Sequence, residues 1–168
     1  MRATVLLVDD EQPVLDALSQ LLHKADYRLL TSCGPEAALE VLRRETVDIV
    51  VSDERMPGMS GLELLSLVHD RQPNAVRIIL TGHADTDTAV RAINEGEIYR
   101  FLTKPCDRTE LLVTLHLARE KLELERQNRE LRALVETSPQ LADRLREMQA
   151  SRAEGADPVA KPGRPSRG

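Results

Sequence analysis

Short apolar runs alternate with segments of helical periodicity over the first 120 residues. Each run is rich in Val, Ile and Leu and ends at a polar or turn residue, which is typical of a buried strand. The segments between the runs repeat apolar residues every three or four positions, which is typical of one helical face. Because right-handed crossovers place such helices on both faces of a sheet, the pattern predicts an α/β fold with a five-stranded parallel sheet. The strands are expected at residues 5–8, 27–32, 47–53, 76–80 and 98–103.

The last helical segment is longer than the others. No Gly or Pro interrupts residues 107–137, so one helix can extend through all of them. Leucines recur in it every seven residues, as in a short parallel two-stranded coiled coil with Asn at one a position. This pattern predicts a homodimer, and a solvated amphipathic helix with Glu/Arg pairs is the alternative. The heptad positions are Leu117, Lys121, Leu124, Asn128, Leu131 and Val135.

Changes in composition divide the chain into segments. Ser138 and Pro139 are suited to an N-cap and a first helical turn, and they predict a brief helix after the long one. The final residues are a mixture of Gly, Pro, Ser, Arg and Lys, which predicts disorder. The expected organisation is a domain at 1–120, an extended helix at 107–137, a short helix at 138–150 and a disordered tail at 151–168.

The overall composition excludes some classes of function. Hydrophobic residues make up 41% of the chain, which can supply an ordinary core. Aromatic residues make up only 2%, so no aromatic platform is available for stacking bases or sugars. The formal net charge of -5 argues against direct DNA binding through a basic face.

Two features indicate a cytoplasmic protein without a membrane segment. Cys33 and Cys106 are too few for a disulfide framework and lack CxxC spacing, so reduced thiols are expected. The N-terminal apolar run is too short for a signal peptide or a membrane span.

Polar residues that can carry chemistry follow four of the predicted strands. Asp9 and Asp10 follow the first strand, Asp53 ends the third, Thr81 follows the fourth and Lys104 follows the fifth. The carboxyl ends of parallel strands lie at one edge of the sheet, where ligands bind in open α/β folds, so these side chains should converge. Each residue alone is explained as simply by a helix cap, a turn or a solvated lysine. Their combination at four strand ends favours a site.

The residue types suit a phosphoryl group on a carboxylate. Three carboxylates in one cleft repel each other unless a cation lies among them, and Mg²⁺ prefers such hard oxygen ligands. Lys104 would add a positive donor and Thr81 a hydroxyl. Asp53 would then be the nucleophile.

Four motifs closely resemble the receiver domain of bacterial two-component response regulators. They occur in the family's order, and the resemblance covers about residues 3–120. The motifs are Val8-Asp9-Asp10-Glu11, Ser52-Asp53-Glu54-Arg55-Met56-Pro57-Gly58-Met59-Ser60-Gly61, Leu80-Thr81-Gly82 and Phe101-Leu102-Thr103-Lys104-Pro105.

The resemblance implies a flavodoxin-like (βα)5 receiver with strand order 2-1-3-4-5 and an extended C-terminal helix. It implies that Asp53 is the phospho-acceptor and receives its phosphoryl group from a histidine kinase or phosphotransfer protein. Asp10 and Asp53, with the backbone carbonyl of Arg55, would hold Mg²⁺, and Asp9 would act through a water ligand.

The resemblance also implies how phosphorylation is read out. Thr81 and Lys104 would contact the phosphoryl group, and Thr81 would act with the aromatic residue Phe101 as a switch. Phe101 lacks the hydroxyl of the tyrosine that is common at this position, so packing alone would hold its inward position. The change would alter the surface of the fourth helix and fifth strand. The protein is therefore expected to be a regulator and not an enzyme, apart from gaining and losing its own phosphoryl group.

Residues 98–105 further resemble receivers that are joined to cyclic-di-GMP phosphodiesterase or transcription-activating domains. The residues after Thr137 are too few for either domain, so the output is expected in a partner protein or in the dimer. A scaffold that recruits a partner without phosphorylation is the alternative. A haloacid-dehalogenase phosphatase is disfavoured because Asp9 and Asp10 are adjacent and not in an Asp-x-Asp pattern. Acids after the first strand likewise disfavour a flavodoxin-like cofactor site.

Overall fold

The computed structural model describes residues 2–82, 86–138 and 143–144. The chain divides into two compact units, Met1–Glu125 and Arg126–Gly168. In the second unit the described residues are helical up to Thr137 and again at 143–144. The short helix predicted at 138–150 lies almost wholly outside the described residues, and the tail at 151–168 lies entirely outside them.

The described residues form five parallel strands and five helices, in the order β2-β1-β3-β4-β5 across the sheet. The predicted fold class is confirmed. The elements are β1 (Ala3–Asp9), α1 (Gln12–Leu22), β2 (Tyr27–Cys33), α2 (Pro35–Arg44), β3 (Ile49–Asp53), α3 (Gly61–Arg71), β4 (Val76–Thr81), α4 (Thr86–Asn94), β5 (Arg100–Thr103) and α5 (Arg108–Thr137).

The middle of the sheet is buried on both faces. All seven residues of β1 are buried, and successive side chains enter opposite clusters because a strand alternates its faces. Val5 and Leu7 pack in a first cluster with residues of α1 and α5. Leu6 and Val8 pack in a second cluster with residues of α2, α3 and α4. Each fully buried side chain of this size contributes about 1.5–3 kcal/mol.

β5 begins later than the sequence predicts. The strand starts at Arg100 and not at Ile98, because the residues before it close the end of α4. Gly96 adopts a φ of 76°, and the Ile98 amide donates to the Ala92 carbonyl at 3.3 Å. A backbone amide that bonds to the end of a helix is not free to join the ladder of the sheet.

The long final helix is present as α5. Leu111, Leu115 and Ala118 are fully buried in the first cluster, whereas Leu124 and Leu131 are each 60% exposed. Among residues 2–82, 86–138 and 143–144, no helix has both the length and the apolar character that crossing a membrane requires.

Candidate functional site

The strand ends bring the predicted site residues to one edge of the sheet. Asp9, Asp53 and Thr81 are the last residues of β1, β3 and β4. Lys104 follows β5, and its amide donates to the Thr81 carbonyl at 2.8 Å. Because the strands are all parallel, these ends share the edge at which α/β folds bind ligands.

Three carboxylates gather at this edge. Asp9, Asp10 and Asp53 each offer an oxygen that lies within 4.8 Å of the others. Asp9 and Asp53 are buried, whereas Asp10 is exposed, so the group is open to water on one side. Close carboxylates repel each other, and hard oxygen donors with room for water ligands suit Mg²⁺. The donor set therefore fits a small divalent cation.

Lys104 lies between two of the carboxylates. Its Nζ is 2.8 Å from Asp9 Oδ2 and 2.6 Å from Asp53 Oδ1. The side chain crosses from the end of β5, past β4, to the ends of β3 and β1. It supplies a tethered positive charge where the carboxylates are most buried.

The pKa values of Asp53 and Lys104 reflect both burial and the neighbouring charges. Burial raises the pKa of Asp53, and the charge of Asp9 acts in the same direction, while the hydrogen bond and charge of Lys104 oppose both. Burial disfavours the charge of Lys104, but its hydrogen bonds to Asp53 and Asp9 outweigh that effect and raise the pKa of Lys104. Perturbed groups of this kind are frequent in functional sites.

Both oxygens of Asp53 already have partners. Oδ1 contacts Lys104, and Oδ2 accepts the Arg55 amide N–H at 3.0 Å. Each carboxylate oxygen has a second lone pair, but a partner that moves away leaves more room for another ligand. A lysine side chain can move by rotation about its own bonds, whereas the Arg55 amide is part of the backbone. Oδ1 is therefore the oxygen that is more easily freed.

The loop after Asp53 is bonded to the start of α3. The Glu54 carbonyl accepts from the Gly61 amide at 2.9 Å, and the Glu54 carboxylate accepts from the Leu62 amide at 3.2 Å. Ser60 and Glu63 add a capping box, a pattern that is visible in the sequence. These bonds satisfy the first amides of the helix and close the loop on itself.

Gly61 touches the backbone of Asp53. A Cβ at position 61 would overlap the Asp53 carbonyl oxygen and would lie 2.9 Å from both the Asp53 carbonyl carbon and Ile79 Cδ1. The sequence pattern does not mark Glu54 or Gly61 as residues that shape the site. The capping box marks the start of α3, but no local signal reveals contacts between residues eight positions apart.

Thr81 and Phe101 lie next to this edge with other partners. Thr81 is 1% exposed, and its hydroxyl donates to the Gly82 carbonyl at 3.1 Å. Phe101 is partly buried and packs against the second cluster, which includes Ala89 and Ala92 of α4. Their role as a switch stays a prediction.

The residues of the predicted coiled coil all lie on α5. Three of them are exposed, and the first and last are partly buried. Their role in a dimer stays a prediction. In chain order they are Leu117, Leu124, Asn128, Leu131 and Val135.

A family model and the relatives that match this chain all indicate the same family. The family model described as the response regulator receiver domain matches residues 5–116. The hydrogenase transcriptional regulatory protein HoxA of Cupriavidus necator is 38% identical over 117 residues, which are 70% of this chain and 24% of HoxA. The C4-dicarboxylate transport transcriptional regulatory protein DctD of Rhizobium meliloti is 36% identical over 135 residues, which are 80% of this chain and 29% of DctD. The chain thus spans less than a third of the length of these two relatives.

A solved structure shares both sequence and fold with this chain. The signal receiver domain of an HD domain-containing protein from Pseudomonas fluorescens is 41% identical, with a TM-score of 0.69. The match covers 73% of this chain and 98% of that one.

Proposed function

Because the chain belongs to the response regulator receiver domain family, we propose that it is phosphorylated on Asp53 by a histidine kinase or phosphotransfer protein. The observation that carries the proposal is the cluster of Asp9, Asp10 and Asp53 within 4.8 Å, with the Lys104 ammonium in contact with two of them. A buried carboxylate beside a cation site and a tethered ammonium is suited to accept a phosphoryl group.

Transfer would proceed by attack of an Asp53 oxygen on the phosphorus of a phosphohistidine. The new O–P bond forms as the N–P bond breaks, and the imidazole nitrogen keeps the electron pair. Lys104, freed from Oδ1, would then bind a phosphoryl oxygen. Asp10, Asp53 and the backbone carbonyl of Arg55 would hold Mg²⁺, with Asp9 acting through a water ligand, and the ion would supply further neutralisation of the phosphoryl charge.

In the proposal, phosphorylation is read out at the neighbouring surface of α4 and β5. In the proposal, the Thr81 hydroxyl turns from the Gly82 carbonyl to the phosphoryl group, and Phe101 repacks against α4. The changed surface of α4 and β5 would bind a downstream protein, and the chain would act as a regulator in the cytoplasm without binding DNA itself.

The proposal includes a homodimer through α5. The exposed leucines Leu124 and Leu131, with Leu117, follow the seven-residue repeat of a coiled coil. Light scattering of the whole chain, with and without phosphorylation, measures this directly. We expect a dimer mass that Leu124→Glu reduces to a monomer mass, and a monomer mass for the unchanged chain in both states would rule the dimer out.

Phosphorylation is tested with a small donor. The chain is incubated with acetyl phosphate and Mg²⁺, and its intact mass is measured beside that of Asp53→Asn. We expect the unchanged chain to gain one phosphoryl group and the variant to gain none. If neither gains mass, the scaffold that works without phosphorylation is the better interpretation. Equal gain in both would place the modification at another residue.

A further inference from the structure

Glu54, the residue after the proposed phospho-acceptor, is bonded through three of its groups. Its amide donates to the Leu80 carbonyl at 2.9 Å, and its carbonyl accepts from the Gly61 amide at 2.9 Å. Its carboxylate accepts from the Leu62 amide at 3.2 Å. Of the first three amides of α3, two therefore bond to Glu54, and the Glu63 amide bonds to the Ser60 hydroxyl.

These bonds hold the peptide group that contacts Asp53. The Glu54 carbonyl and the Arg55 amide belong to one planar peptide unit, so fixing the direction of one fixes the other. In a trans peptide the two groups point in opposite directions. The carbonyl meets the Gly61 amide, and the Arg55 N–H meets Asp53 Oδ2 at 3.0 Å. One peptide plane thus joins the start of α3 to the reacting carboxylate.

The Glu54 carboxylate secures this arrangement from the helix side. Its acceptor oxygen lies at the N-terminus of α3, where the helix dipole also favours negative charge. Without it, the Leu62 amide loses its partner at the point where the loop returns to α3. The backbone bond from the Gly61 amide to the Glu54 carbonyl then orients the Arg55 peptide without that side-chain support.

We propose that Glu54 is a positioning residue, which acts through the Arg55 peptide on Asp53 and on the proposed cation site. The inference rests on the proposed function. The bond to the Leu62 amide requires a hydrogen-bond acceptor and not a charge, because that amide is neutral. Gln presents a carbonyl oxygen at the same reach and should replace Glu, whereas Ala should not.

The test compares Glu54→Ala, Glu54→Gln and Ser60→Ala in the whole chain. Ser60→Ala is the matched control, since it removes one side-chain bond from the same helix terminus without touching the Arg55 peptide. Two quantities are measured: the affinity for Mg²⁺ alone, by calorimetry, and the rate of phosphorylation by acetyl phosphate at saturating Mg²⁺. For Glu54→Ala we expect both to fall by about tenfold, since small misplacements of reacting groups have effects of this size or larger. For Glu54→Gln and Ser60→Ala we expect both within about twofold of the unchanged chain.

Each other outcome overturns the inference. If Glu54→Ala matches the unchanged chain, the side-chain bond does not position the site. If Glu54→Gln is as impaired as Glu54→Ala, the charge matters and not the bond. If Ser60→Ala is equally impaired, the effect is general fraying of α3. Failure of the unchanged chain to accept a phosphoryl group would instead remove the proposed function, and that result is seen separately from the others.

Discussion

Replacing Gly61 with alanine should destabilise the fold and the site together. The added methyl group would overlap the Asp53 carbonyl oxygen and would lie 2.9 Å from Ile79 Cδ1. Neither neighbour can move freely, because Asp53 is in the buried strand β3 and Ile79 is fully buried in β4. Overpacking a close-packed site costs about 1–3 kcal/mol, and contact with backbone on one side places this change at the upper end.

The expected loss is therefore about 3 kcal/mol, which would lower the Tm by roughly 6–12 °C. Gly82→Ala is the control, because a Cβ at position 82 meets no atom of the described residues within 4 Å. Urea denaturation followed by circular dichroism gives the free energy of unfolding for the unchanged chain and both variants. The phosphorylation rate of Gly61→Ala, measured well below its Tm, should also fall, since the overlap is with the backbone of Asp53 itself.

The predicted overlap is contradicted if the free energy of unfolding of Gly61→Ala lies within about 0.5 kcal/mol of that of the unchanged chain, the range of ordinary surface changes. It is also refuted if Gly82→Ala is destabilised to the same degree. In that case the loss would reflect the conformational preference of glycine and not the contact with Asp53.

Three further predictions concern the protonation, hydrogen bonding and reactivity of polar side chains. Since burial raises the pKa of Asp53, its ionised form is less stable in the folded protein, and stability is lost as pH rises through that pKa. Asp53→Asn should therefore have a higher Tm than the unchanged chain at pH 7. The difference in Tm should shrink as pH falls toward the ordinary aspartate pKa of about 3.9. A lower Tm for Asp53→Asn at pH 7 would contradict this. The Ser32 hydroxyl is buried without a hydrogen-bond partner among the described residues, whereas the Ser52 hydroxyl donates to the Asp53 carbonyl at 2.9 Å. By urea denaturation, Ser32→Ala should gain about 1 kcal/mol and Ser52→Ala should lose about as much, and equal losses would refute the assignment. Burial raises the pKa of Cys106 to about 11, so a disulfide reagent at pH 8 should modify exposed Cys33 first, and Cys33→Ser should abolish the fast phase.

The parallel sheet and the placement of Asp9, Asp53, Thr81 and Lys104 at one edge could be predicted from the sequence. Both depend on local patterns, because runs of Val, Ile and Leu and the polar residues that end them are visible without knowledge of the fold. The start of β5 could not be predicted, since the Ile98 amide is used by the end of α4. Whether the Ile98 amide bonds to the helix or to the sheet depends on where α4 ends.

The geometry around Asp53 could not be predicted from the sequence either. Gly61 and Glu54 shape the site because the loop after β3 folds back, so that the start of α3 contacts the end of β3. The contact of Lys104 with both Asp9 and Asp53 depends on the order of strands across the sheet. Such contacts follow from the tertiary arrangement, and the residue types alone predict only that a cation suits the site.

The tethered ammonium of Lys104 sets the charge balance of the whole edge. The three carboxylates and the ammonium together carry a formal sum of two negative charges. A divalent ion would bring that sum to zero, whereas a monovalent ion would leave one charge uncompensated in a partly buried place. Converting one carboxylate to a dianionic acyl phosphate then adds a single negative charge. Under the proposed function, phosphorylation would thus change the formal charge of these groups by only one unit.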